Sequence, residues 1–165
     1  MSGLKELMRA GAGRTLAVAE SLTSGRLQAR IGSISGASTF FLGGITAYTL
    51  EQKVNLLGVD RAEAESVNCV SSRVAEQMAR GACILFGADL GVATTGYAEP
   101  DPERRVAEPF AWWAVARREG ADYQLGSGRV DGAALGRVEM QERVAEAALA
   151  ALLAVLRGPA GPRTT

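Results

Sequence analysis

"TLAVAESLTSGRL", residues 15–27, runs from apolar residues through a glutamate and a serine into small hydroxyl residues and a glycine. "TLAVA" (15–19) is short and almost wholly apolar, as a strand reads when both of its faces are covered. Residues 24–33 then suit a helix with Leu27 and Ile31 turned inward. Strand, tight turn and helix in this order form the unit from which α/β folds are built, and Ser21 falls at the turn. A hydroxyl there has two readings. It is a nucleophile beside helix N–H groups and a favourable dipole, or it is one of three caps on offer, with Thr23 and Ser24. On spacing alone the cap is the simpler reading.

The same patterning extends outward from this stretch. "GLKELMRA" (3–10) places Leu4, Leu7 and Met8 at helical spacing, with Ser2 as a cap. "TFFLGGITAY" (39–48) reads as a strand in which Gly43 and Gly44 signal a bulge or a close approach. A helix over 49–57 ends at Gly58, and a helical turn covers 61–66. Residues 71–86 put Val74, Met78, Ala82 and Leu85 on one stripe, with Gly87 as the stop. "ADLGVATTG" (88–96) reads as a second buried strand. A loop with three prolines, "YAEPDPERRVAEP" (97–109), leads to "FAWWAVARR" (110–118), a turn at Glu119-Gly120 and "ADYQLGSGR" (121–129), an expected antiparallel pair. Val144, Ala148, Leu152 and Val155 mark a long helix over 137–157, and 158–165 reads as a frayed tail. The expectation is one domain over 1–157: a three-layer α/β/α sandwich with a mixed, mostly parallel sheet. Ligands collect at the carboxyl ends of strands in such sheets, where Ser21, Tyr48 and Thr95 fall.

Composition narrows the chemistry. Eighteen basic residues balance eighteen acidic ones, so no global field draws the chain to nucleic acid or an anionic membrane. No apolar run has the length of a membrane span and no secretory signal opens the chain, so a cytoplasmic protein is expected. Cys69 and Cys83 lack the spacing of a zinc site and read as free thiols, Cys83 buried. The chain has no histidine, which excludes a Ser/His/Asp triad. A nucleophile must then be served by a lysine, a tyrosine or a carboxylate. Lys53 and Tyr48 are the candidates, and burial is what turns a lysine into a base. The plainer reading is a solvated lysine beside Glu51 and a half-buried tyrosine. Arg104, Arg105, Arg137 and Arg143 are each able to pair with a phosphate. Trp112 and Trp113 fall on opposite faces of a strand, one expected in the core and one on a partner surface.

Taken in order, these segments resemble the CinA C-terminal domain family, whose characterised members are nicotinamide-nucleotide amidohydrolases. The resemblance rests on Ala19-Glu20-Ser21-Leu22-Thr23-Ser24-Gly25 and on Ser35 to Gly44. It continues through Tyr48 and Lys53, Leu57-Gly58-Val59, Val70-Ser71, and Ala88-Asp89 leading to Thr95-Gly96. It implies hydrolysis of the carboxamide of nicotinamide mononucleotide, with no metal and no cofactor. Carried over, Ser21 is the nucleophile, and Lys53 with Tyr48 moves its proton. Backbone N–H groups after Ser21 hold the oxyanion. Substrate contacts fall to Glu20, Thr23, Gly25, Gly43, Gly44, Thr95, Gly96 and Arg137. The partner is a small pyridine nucleotide, without nucleic acid or membrane, and a homodimer is implied. The chain departs from the family at Leu22 and Ser24, at Glu99 in place of a glycine, at Pro109 to Trp113, and at Gln141. These departures motivate the alternative: a relative that keeps the fold and binds a ligand or protein without turnover.

Overall fold

A computed structural model describes residues 2–10 and 13–158. In chain order the elements are α1 (Ser2–Ala10), β1 (Leu16–Glu20), α2 (Arg26–Gly32), β2 (Phe41–Thr46), α3 (Leu50–Leu57), α4 (Arg61–Ser66) and α5 (Ser72–Phe86). They continue with β3 (Leu90–Tyr97), β4 (Phe110–Glu119), β5 (Asp122–Asp131) and α6 (Arg137–Arg157). The tail expected over 158–165 lies outside the described residues beyond Gly158, as does the side chain of Ser2. The strands form one five-stranded sheet in the order β2-β1-β3-β4-β5. β1 pairs in parallel with β2 and β3, whereas β3 with β4 and β4 with β5 pair antiparallel. Four strands thus point one way and β4 opposes them, which is the mixed sandwich expected.

Alternation along β1 divides the interior in two. Leu16 and Val18 face α1, α2 and α6, where Leu4, Met8, Leu27, Ile31 and Leu152 close over them. Ala17 and Ala19 face the other way with Ala93, Ala114 and Ala116, against Val74, Met78 and Ala82 of α5 and Leu57 of α3. One face of the sheet carries branched side chains and the other alanines, so α5 lies close to the strands. A Cβ on Gly91 would stand only 2.0 Å from the Ala79 carbonyl oxygen.

Most elements form where the patterning places them. Thr49, Asp60 and Ser71 cap α3, α4 and α5 with side-chain oxygens, and Gly58 and Gly87 end α3 and α5 in left-handed conformation. The buried stripe of α5 runs through Val74, Ala75, Met78, Ala79, Ala82 and Cys83. Leu85 lies in the last turn of α5, next to the Gly87 stop, and is exposed, so the expected stripe ends one turn earlier at Ala82. The expected bulge occurs at the glycine pair, but the close approach there is by side chains, not by a ligand or another backbone. Register shifts as β2 passes Leu42, and a Cβ on Gly44 would lie 2.3 Å from Val18 Cγ2. The hairpin turn is Gly120-Ala121, one residue on from the expected place, with glycine at its first position and φ 65. The two tryptophans do not divide into one core and one surface residue, because both are half-buried. Trp112 packs against the alanine-rich core, and Trp113 against the opposite one.

Candidate active site

The chain leaves β1 for α2 on one face of the sheet, then crosses from β2 through α3, α4 and α5 on the other face to reach β3. The crevice between the ends of β1 and β3 is therefore where the connections diverge, the usual place for a ligand in such sheets. A pocket of about 640 Å³ opens there. Ser21, Lys53 and Thr95 lie buried at its base, while Tyr48, Glu99 and Arg137 stand exposed at its mouth.

The alternation that splits the core also builds the base. Glu20 follows the Leu16–Val18 side and turns toward α2. Its carboxylate is fully buried and accepts from the N–H groups of Gly25, Leu27 and Gln28 at 3.0, 3.1 and 2.8 Å. The start of α2 is thus capped from the strand end, and Gly25, with φ 93, provides no side-chain cap. Ser21 turns to the opposite face, its own N–H donating to the Thr94 carbonyl at 3.0 Å. Released from capping, the Ser21 hydroxyl meets Lys53 Nζ at 3.1 Å.

Lys53 shares the inner face of α3 with Leu57, one turn on, and only 2 % of its surface is exposed. Its other hydrogen bond, 3.1 Å, goes to the Tyr48 carbonyl. Burial holds its pKa below the ordinary lysine value, against a smaller upward pull from the Cys69 thiol. Glu51, the neighbour that would have held it in solvent, pairs with Arg61 instead. A buried amine with lowered pKa beside a hydroxyl is able to act as a base.

The remaining expected residues divide between the pocket and the scaffold. Tyr48 lines the pocket, but it is 51 % exposed and its phenol accepts from Arg137 Nη2 at 2.9 Å, so the residue meets Lys53 through its backbone carbonyl. Arg137 also donates to Glu99. Thr95 lines the pocket with its hydroxyl donating to the Cys69 carbonyl at 2.7 Å, and Gly96 lies beside it. Thr23 is interior, bonded to the Thr94 hydroxyl at 2.7 Å. Glu20 and Gly25 shape the loop, and Gly43 and Gly44 lie on β2 against Phe86 and Val18; none of these four lines the pocket. Leu22 does line it. Ser24, where the resemblance expects glycine, adopts φ 49, which disfavours a side chain. Patterning missed Asn68 and Cys69, which enter the pocket wall from a turn with φ 48 and 63. The only cue was Asn68 itself, a residue that tolerates such a turn. Of the arginines, Arg104 lines the mouth and pairs with Asp101 at 2.7 Å.

Comparison with known proteins agrees with this architecture. A "CinA-like protein" of Chlorobium limicola is 37% identical over 152 residues, 90% of this chain and 35% of that protein. A "CinA-like protein" of a Picosynechococcus species is 54% identical over 102 residues, 62% of this chain and 24% of its own length. The chain therefore spans about a quarter to a third of these relatives. The crystal structure of competence damage-inducible protein A from Klebsiella pneumoniae superposes with a TM-score of 0.83 at 28% identity, covering 96% of this chain and 95% of that one. That of the competence/damage inducible protein CihA from Agrobacterium tumefaciens gives 0.79 at 27%, covering 94% and 96%. The profile of the CinA C-terminal domain matches residues 4–156, and with a fold and relatives that agree, the chain belongs to that family.

Proposed function

We propose that this protein is a serine amidohydrolase that acts on the carboxamide of a pyridinium nucleotide or a related small amide, as nicotinamide mononucleotide deamidases act on theirs. The observation that carries the reading is the 3.1 Å hydrogen bond between Ser21 and a lysine buried to 2 % exposure. In its neutral form Lys53 takes the Ser21 proton as the oxygen attacks the carboxamide carbon. The resulting ammonium returns a proton to the departing nitrogen, releasing ammonia and leaving an ester on Ser21. Water, deprotonated by the same amine, then attacks the ester; as the ester bond breaks, the lysine ammonium returns that proton to the Ser21 oxygen and the acid leaves as its carboxylate.

Among the described residues, the N–H of Leu22, which lines the pocket next to Ser21, donates to no protein acceptor, which suits it to hold the oxyanion. Lysine within hydrogen-bonding reach of serine weighs against the reading of a domain that binds without turnover.

Ammonia release from nicotinamide mononucleotide and its nucleoside tests the proposal. Ser21→Ala should fall to background, and Lys53→Met should lose about 10²- to 10⁴-fold in kcat, the range a general base supplies. Release by wild type no greater than by Ser21→Ala on both amides would sink it.

A further inference from the structure

Three basic side chains line the pocket, and the chain's own groups engage all of them. Lys53 is bonded to Ser21 and the Tyr48 carbonyl. Arg104 pairs with Asp101, and Arg137 turns one terminal nitrogen to Glu99 and the other to Tyr48. At the mouth, Glu99, Asp101 and Glu103 outnumber Arg104 and Arg137. A phosphate dianion entering here meets occupied guanidiniums and surplus negative charge. A pyridinium ring, itself a cation, meets a favourable field.

We propose that Glu99 is a specificity-determining residue: by holding Arg137 at the pocket mouth, it turns the site toward a pyridinium amide nucleoside that lacks the phosphate. The inference rests on the amidohydrolase reading for the identity of the reacting group, while the ion pairs alone carry the discrimination. Glu99 and Arg137 are 58% and 44% exposed, so their pair is solvent-screened and the preference it sets is graded, not absolute. Removing the carboxylate's charge weakens its hold on Arg137 and lifts one repulsion, together worth about a tenfold change at the exposed mouth.

Steady-state hydrolysis of nicotinamide riboside and nicotinamide mononucleotide by wild type and Glu99→Gln tests this. Gln keeps the shape and an acceptor for Arg137 but not the charge. Wild type should show the higher kcat/KM on the riboside. Glu99→Gln should raise the mononucleotide-to-riboside ratio about tenfold, through KM rather than kcat. A ratio unmoved by the substitution overturns the inference and leaves the amidohydrolase reading intact. If neither amide is hydrolysed, that reading fails, and the inference is decided by calorimetry on Ser21→Ala with and without Glu99→Gln. Mononucleotide binding that tightens about tenfold relative to the riboside sustains it; equal binding, or no binding of either ligand, overturns it.

Discussion

Glu20 and Ser21 are neighbours in sequence, yet strand alternation sends one to α2 and the other to α3, and their roles diverge. The serine was legible as either cap or nucleophile. What settled its surroundings was invisible in spacing: a carboxylate caps the helix from the strand end, through partners five, seven and eight residues on. Glu20→Ala leaves those three donors unpaired, and urea unfolding should show a loss of about 3 kcal/mol, given about 1–3 kcal/mol per buried orphan. Lys53 carries the opposite balance. Its hydrogen-bond partners are neutral and burial lowers its pKa, so the unfolded chain holds the proton more tightly than the fold. Stability from this group therefore rises with pH, from the lowered folded value up to the ordinary lysine range, and catalysis by the neutral amine rises in the same direction. Beside its loss of rate, Lys53→Met should raise the thermal midpoint at pH 7 and flatten its rise with pH, both readable by scanning calorimetry across pH.

At the scale of elements, the strands and helices were legible because their periodicity is set by burial, which each segment records in its own residues. The buried apolar run of β1, the caps at Thr49, Asp60 and Ser71, and the stops at Gly58 and Gly87 all signal locally. Contacts between elements leave no such record. The Tyr48–Arg137–Glu99 cluster joins residues 89 and 38 positions apart, and only the folded sheet brings them to one mouth. Gly91 is likewise silent in sequence, yet it sets the spacing between α5 and the sheet. Gly91→Ala should cost about 3 kcal/mol, the upper end for overpacking, and lower Tm by on the order of 9 °C. Gly126→Ala on β5, where an added Cβ meets nothing within 4 Å, serves as the neutral control in the same melting experiment.

Across the whole molecule, the layers protect the strands unequally. All five residues of β1 are buried, and so are the first six of β3, whereas β5 is an edge strand with most of its residues exposed. Native-state hydrogen exchange should find the slowest amides in β1 and β3 and markedly faster exchange in β5. Ser21 and Thr95 hang from the slow part, and Tyr48 and Glu99 at the mouth from loops, which suits a fixed nucleophile beneath an adjustable rim. The capping of α2 by Glu20 also bears on the order in which the site comes together. Its most distant partner in sequence closes a loop of eight residues, whereas Lys53 reaches Ser21 across 32. Closing the longer loop costs about 1 kcal/mol more in chain entropy. The serine turn is thus a short-range structure that holds its own shape, and the arrival of a distant lysine decides when the chain becomes competent to react.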